Sequence, residues 1–504
     1  MVYISQLEQH ASKEVTLQGW ITFRRDSKGL VFAGLRDGSG FCQIVLSADN
    51  LSPKHFEIAS ALAQENSVKV TGEVVHNERM NEYELAVSSL ELIHAGPEYP
   101  IARKAHGVDF LMDKRHLWLR SQKQWALMRI RNRVGFAIHK FFQGRGFMQL
   151  DPPLFTANAV EGTTTLFETD FYGEPAYLSQ SGQLYGEALA LAHGLIYTYG
   201  PTFRAEKSKT RRHLSEFWMI EPEMAFYDND MNMDLIEDFV VFLAQDVLEG
   251  CREELEMLGR DISMLEKVQK PFPRMDYDQA VRLIRGEEDW DGRNALTLLE
   301  GDLEAVKAQI EANTAEIAEK EAELEKGGIK KGKANWMRSK IDSLKVEIKN
   351  LEEQASNIPQ WLESARNFEH GADFGGSDET VLTRLFDRPV MVHTWPAPIK
   401  AFYMKRDESK PDYVKGVDLL APEGYGEIVG GAQREDDLDL LVERIKEHEL
   451  PMEAFEWYLD LRRFGSVPHA GFGLGLERMI TWISGIHHIR ETIPFPRAYG
   501  RLRP

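Results

Sequence analysis

The sequence predicts an α+β protein: a small β-barrel first, then a large mixed domain interrupted by a helical hairpin. Three observations carry this. Short apolar runs bounded by turn residues crowd residues 1–100. From about residue 121, longer apolar strands alternate with helices to the end of the chain. Inside that region, at 295–362, lie two matched seams with heptad steps.

The bulk numbers permit this layout. A chain of 504 residues at ~100–200 residues per domain suggests two to four domains, and 43% hydrophobic content allows a large core. Cys42 and Cys251 are the only cysteines, which excludes a disulfide framework and a CxxC metal site. The opening MVYISQLEQHASKEV lacks the basic cap and apolar core of a signal peptide. No apolar run approaches the ~18 residues of a membrane helix. The expectation is a soluble cytoplasmic protein with no membrane attachment. A net charge of −20 argues against non-specific nucleic-acid binding over the whole surface, but not against a local basic groove.

The strands of the first region are VTLQGWITF, LVFAGLRD, FCQIVLS, SVKVTGEVV and YELAVSSLELI, with a helix near HFEIASALAQ. This set fits an OB-like barrel, or another small barrel. Residues 101–120 read as an ordered linker. A helix begins at Ser121 and ends near Gly144.

In the hairpin, Leu299, Leu303, Val306, Ile310, Asn313, Ile317, Lys320 and Leu324 step by fours and threes. After GGIKKGK the same steps link Met337, Ile341, Leu344, Ile348, Leu351, Ala355 and Ile358, and Pro359 is expected to stop the helix. The first arm is Glu-rich and the second Lys-rich, so they attract as antiparallel partners. Such a hairpin is either a rigid insertion remote from the chemistry or an arm for RNA or a partner.

FRAEKSKTRRHLSEFWMIEPEMAF, residues 203–226, places a basic loop between two apolar strands. Alternation puts Phe217, Met219, Glu221 and Glu223 on one face and Trp218, Ile220 and Met224 on the other. Arg204 and Glu206 share a face of the first strand. Buried charges need partners or a polar ligand. A ligand with phosphates, a flat base and an amine satisfies them; so does a structural ion-pair network. Pro222 calls for a bulge or an edge near Glu221. Near the C-terminus, HAGFGLGLERMITWISG pairs a glycine-rich strand end with a helix whose first turn carries Arg478, a combination suited to phosphate. GRGFMQLDPPLF, residues 144–155, is consistent with an interface strand.

These three stretches, in this order over some 330 residues, resemble the three signature motifs of the class II aminoacyl-tRNA synthetases. The resemblance implies an antiparallel catalytic sheet over 121–504 and a homodimer with Pro153 at its interface. The barrel, 1–100, resembles the anticodon-binding domain of the aspartate, asparagine and lysine subgroup. LSQSGQLYGE, EFWMIEPEMAF, IKAFYMK, GVDLLAPEGYGEIVGGAQRE and RETIPFPR resemble the asparagine branch. The implied substrates are L-asparagine, ATP with Mg2+, and tRNA(Asn); the rival readings are an aspartate enzyme, including one that acts on two tRNAs, and a synthetase-like asparagine synthetase. Aspartate-handling relatives carry a lysine where this chain has Gly186, and an Asp where it has Glu221.

Site residues follow from the same resemblance. Arg204 and Arg478 are the catalytic cations on the α-phosphate, Arg204 also holding the substrate carboxylate. Phe217 stacks on adenine, Glu206 meets the adenine edge, and Arg212 and His213 reach the γ-phosphate side. Leu214 and Gly475 complete the ATP site. Glu427, with Asp418, binds Mg2+; Gly430, in place of a serine, removes one metal contact and lines the amino-acid site. Glu161 and Gln183 hold the α-amino group. Arg434 donates to the side-chain carbonyl. Glu221, expected opposite Arg434 with no ammonium nearby, accepts from the amide NH2 and repels a carboxylate. In the barrel, Phe32 and Gln43 are implied to read anticodon bases, while Arg24 and Arg25 meet phosphates.

Overall fold

The computed structural model describes residues 2–102, 104, 106–157, 166–208 and 210–503. Its contacts divide the chain into Met1–Leu111 and Met112–Pro504.

The first unit is a closed barrel in the order β1-β2-β3-β5-β4, built from β1 (Glu14–Ser27), β2 (Leu30–Arg36), β3 (Phe41–Ser47), β4 (Ser67–Asn77) and β5 (Glu82–His94). Each run alternates in burial, so Leu17, Ile21, Val31, Ala33, Leu35, Ile44, Val68 and Leu85 fill the interior. A helix, Pro53–Ala61, joins β3 to β4, with Ser52 capping its N-terminus.

The second unit holds an eight-stranded sheet. Its strands are β6 (Met148–Gln149), β10 (Leu195–Phe203), β11 (Glu216–Ala225), β12 (Arg274–Asp276), β13 (Val390–Pro396), β14 (Tyr413–Ala421), β15 (Gly426–Gln433) and β16 (His469–Gly475). The spatial order is β12-β13-β14-β15-β16-β11-β10-β6. All neighbours pair antiparallel except β12 with β13 and β6 with β10. A separate three-stranded sheet, β7-β9-β8, uses β7 (Phe155–Thr156), β8 (Glu168–Phe171) and β9 (Glu174–Leu178). One face of the main sheet packs on the amphipathic helices Gln122–Gln143, Asn229–Gly250 and Leu476–Ser484 through one large apolar core. The helix from Gln122 starts where expected, capped by Ser121.

Pro222 calls for a correction. Strand β11 is neither an edge nor bulged: it lies between β10 and β16 and runs in unbroken register with β10, Tyr197 facing Pro222. The β16 pairing passes from Ile220–Leu474 to Glu223–Gly471, omitting Glu221 and Pro222. The proline's missing N–H therefore falls where that ladder asks for no donor.

The hairpin is present as two packed helices, Ala295–Lys326 and Lys331–Arg366. Both seams face inward: Val306, Asn313, Ile317, Met337, Ile341, Leu344 and Ile358 are buried and the other seam residues beyond the stem half-buried. Glu321–Lys345 and Glu300–Arg366 bridge the arms at 3.0 and 2.6 Å. Pro359 does not end the second arm, which runs on to Arg366. Ile358, Leu362 and Ala365 are buried in the domain core with Leu299, and this packing outweighs the lost hydrogen bond. The stem is thus part of the core of the second unit rather than a remote insertion.

Excising 314–351 and closing the arms with a short glycine turn should leave the melting temperature almost unchanged. Excising 299–358 should lower it sharply, because Leu299 and Ile358 leave the core; Leu299→Ala alone should cost about 2–5 kcal/mol in denaturant titration.

Candidate active site

Strand β11 presents Met219, Glu221 and Glu223 to a cavity of about 450 Å3, while Ile220 and Met224 turn into the core. Phe217 continues that face into a smaller adjoining cavity. The period of two has set this row as expected.

Its two acids differ in what they touch. Glu221 is buried and accepts from the Ser181 hydroxyl, from the Gly182 N–H at 2.8 Å and from the Thr198 hydroxyl at 3.1 Å. Glu223 is fully buried and accepts a two-pronged contact from Arg434, with Nε at 3.2 Å and Nη2 at 2.5 Å. The partner of Arg434 is therefore Glu223, not Glu221. Two residues along a strand are separated by ~7 Å, so one guanidinium fork cannot close on both. Gly471 makes the contact possible: a Cβ there would lie 2.3 Å from the Glu223 carboxylate. Burial pushes the Glu223 carboxyl up to about 7 against the pull of Arg434.

Behind this pair lies Glu187, fully buried. It accepts from Gln183 Nε2 at 3.1 Å, Tyr458 Oη at 2.8 Å and Arg462 Nη2 at 2.8 Å, with His469 Nε2 at 2.9 Å and Arg434 Nε at 4.0 Å. Burial pushes its carboxyl up, but Arg462, His469 and Arg434 outweigh burial and hold it below the usual range. Gln183 lines the main cavity. Glu161 lies outside the described residues.

Asp418, Glu427 and Gly430 line the same cavity. A Cβ on Gly430 would sit 2.9 Å from Glu427 Oε1 and 3.6 Å from Asp418 Oδ1, so the two carboxylates converge over it. Lys400 contradicts the expectation of a cavity without an ammonium group. It lines the cavity, stacks on Trp395 at 3.8 Å and is bound to Asp418 at 2.7 Å and Asp373 at 3.3 Å. Burial pushes the Asp418 carboxyl up to about 7 despite Lys400. Glu427 bonds Arg478 at 2.9 Å; burial pushes its carboxyl up, but Arg478 and Lys400 prevail and lower it.

The smaller cavity brings together Arg204, Arg212, His213, Leu214, Phe217, Glu427, Gly475 and Arg478. The Arg204 guanidinium stands 5.4 Å from the Phe217 ring centre. His213 Nδ1 lies 2.5 Å from the Thr210 hydroxyl and 3.2 Å from that of Ser208; burial, then Arg478, lowers its pKa. Glu206 is half-buried and acts on His213 in the opposite sense. Among the described residues no three His, Cys, Asp or Glu side chains group as a metal site, and no helix is long and apolar enough to cross a membrane.

In the barrel, Arg25 stacks on Phe32 at 5.1 Å, and Gln43 donates to Glu84 at 2.8 Å. Phe32 and Gln43 alternate with the buried Val31, Ala33 and Ile44, so both project from the outer face. Arg24 does not join them. Its guanidinium bonds the Ser60 carbonyl and, at 3.1 Å, the Leu62 carbonyl, at the C-terminal end of the barrel helix.

Sequence reasoning missed Glu223's partner, Glu187, Lys400 and Glu379, which bonds Arg212 at 2.7 Å. Glu187 stands four residues after Gln183 on one helix, a spacing that signals contact. Lys400 and Glu379 are set by tertiary contacts and have no local signal.

The family model for class II tRNA synthetases (D, K and N) matches residues 107–499, and that for OB-fold nucleic acid binding domains matches 15–93. The chain is 47% identical to the asparagine–tRNA ligase of Sorangium cellulosum, over 100% of this chain and 99% of that protein. It is 46% identical to the corresponding ligase of Desulforamulus reducens, over 99% of both. Among solved structures it is similar to Pyrococcus horikoshii asparaginyl-tRNA synthetase complexed with asparaginyl-adenylate: TM-score 0.82, 36% identity, 100% of this chain and 99% of that one. The chain belongs to the class II tRNA synthetases of the D, K and N group.

Proposed function

We propose that this chain joins L-asparagine to tRNA(Asn) in the cytoplasm, through an asparaginyl-adenylate formed from ATP. The single observation that carries the choice of amino acid is the Glu223–Arg434 pair beside Glu221. Arg434 enters the cavity with its charge already matched, so it offers directional donors rather than a bare positive charge. Glu221 adds an acceptor. A side-chain amide, with one carbonyl and one NH2, complements both; a carboxylate meets two buried acids. Gly186 strengthens the argument. A Cβ at that position would lie 3.2 Å from Glu223 Cγ, so a lysine there would enter this cluster, and the chain has none. A site built on hydrogen bonds to one polar group can discriminate by ~10⁴. Lys400 favours an acidic side chain, but its ammonium is taken by Asp418 and Asp373.

In this reading the large cavity holds the amino acid and the smaller one the nucleotide. Gln183 meets the α-amino group, as Glu161 is also proposed to do. The carboxylate of asparagine attacks the α-phosphorus and pyrophosphate leaves. It is already a nucleophile, so the protein's task is positioning and charge neutralisation. Arg204 holds both reacting groups, Arg478 faces it across the cavity, and Phe217 and Leu214 enclose the base with Gly475 beneath it. Glu206 meets the adenine edge; Arg212 and His213 meet the γ-phosphate side. Mg2+ arrives with ATP. The converging Glu427 and Asp418 oxygens fit an ion that takes one or two carboxylates and completes its shell with phosphate and water. The ion would neutralise phosphate charge there. The 3′-hydroxyl of the terminal ribose of the tRNA then takes the acyl group, and AMP leaves.

The barrel is proposed to bind the anticodon through Phe32, Arg25 and Gln43, with Arg24 serving the barrel helix instead. Stacking plus a local cation suits single-stranded bases. A homodimer is proposed from the exposed apolar face beside Pro153: Leu154, Phe155, Phe171 and Tyr172 are all solvent-exposed, and the three rings touch in series.

Pyrophosphate exchange tests the amino acid. Exchange should require asparagine and be absent with aspartate; aspartate-dependent exchange would overturn the assignment. Glu221→Gln should raise the KM for asparagine by about tenfold or more while leaving that for ATP almost unchanged. Phe32→Ala should leave exchange intact and raise the KM for tRNA, by about 1–3 kcal/mol of lost stacking; an unchanged tRNA KM would remove Phe32 from the interface. Light scattering should report twice the chain mass.

A further inference from the structure

We propose that Glu379 is a positioning residue for the triphosphate end of ATP, holding the Arg212 guanidinium at the mouth of the nucleotide cavity. This rests on the functional reading above. Arg212 lies in the loop between β10 and β11 and lines both that cavity and the one outside it. Its Nη1 donates to Glu379 Oε2 at 2.7 Å and its Nη2 to the Gly424 carbonyl at 2.5 Å. A guanidinium has five N–H donors in one plane, so two such bonds fix the plane and leave donors for a phosphate.

The surroundings are shaped for this pair. Gly426 has φ +72°, and a Cβ there would lie 2.0 Å from Glu379 Oε2 and 2.5 Å from Arg212 Nη1. A Cβ on Gly376 would lie 3.1 Å from the same nitrogen. No side chain at Gly426 is compatible with the contact. Glu379 Oε2 also receives the Glu427 N–H at 3.4 Å, so one oxygen touches the γ-phosphate arginine and the backbone of the residue proposed to meet Mg2+.

Electrostatics supplies the reason for an acid here. Arg211 and Arg478 both act on Arg212 as like charges. Among the described residues, Glu379 is the one group of opposite sign bonded to the Arg212 guanidinium. Glu379 is set in the helix Gly376–Thr383, and that helix is anchored. Its Asp378 accepts from Ser364 in the hairpin's second arm at 3.2 Å, and Arg384, just past its end, forks Asp302 in the first arm at 2.5 and 2.7 Å. The hairpin stem thus serves as the foundation of the group that holds the Arg212 guanidinium.

The test is asparagine-dependent exchange by the full chain, varying ATP and asparagine separately, for Glu379→Gln, Glu379→Asp, Arg212→Ala and the Glu379→Gln/Arg212→Ala double variant. Glu379→Gln should raise the KM for ATP about tenfold or more with that for asparagine unchanged, and Glu379→Asp should fall between it and the parent. The double variant should match Arg212→Ala alone if Glu379 acts through that arginine and not through its longer contact with the Glu427 N–H. A parental ATP KM in Glu379→Gln, equal shifts in both substrates' KM, or multiplying effects in the double variant would each overturn the proposal. If only aspartate supports exchange in the parent chain, the amino-acid assignment fails and the same comparison is made with aspartate. Absence of exchange with either amino acid overturns both.

Discussion

Glu223 and Arg434 meet in an almost completely buried contact on the cavity wall, and neither charge would be tolerated there alone. Removing one partner of such a pair leaves the other stranded, at about 3–5 kcal/mol. The rest of that cavity wall follows from the same constraint. Gly471 lacks a side chain because the carboxylate occupies its place. Glu187, with Arg462, His469 and Tyr458 around it, supports Arg434 from behind and orients Gln183 from beside. The cluster is held by hydrogen bonds within the protein, so in the proposed function little reorganisation is left for the moment of binding.

The proposed nucleotide site, and the wall between it and the larger cavity, use the same device with more solvent. Arg478 and Glu427, Lys400 and Asp418, and Arg212 and Glu379 are three oppositely charged pairs on the walls of adjoining cavities. Each keeps a charge in place that an incoming polyanion or cation can then share. The sheet makes this possible: β11, β15 and β16 are neighbours, so acids and glycines from three strands face one space.

Much of this was legible locally. The barrel strands, the row Phe217–Met219–Glu221–Glu223 and the seams of the hairpin are all products of short-range periodicity, and each appears where its period put it. The bonding of Arg24 to the barrel helix and the continuation of the second arm past Pro359 were not legible, for one reason. A side chain's neighbours in sequence say nothing of a helix end that folds beside it, or of a core that holds a helix together past a proline.

The sequence by itself determined the fold class, the membership of the synthetase family and the face on which each β11 residue lies, because alternation, heptad spacing and motif order are properties of the chain. Only the tertiary structure decided which charges pair. Glu221 and Glu223 are indistinguishable by pattern, and Lys400 and Glu379 come from segments some 150–200 residues away from that strand. Ion pairing is set by distances of a few ångströms between remote segments, and those distances exist only once the sheet has formed.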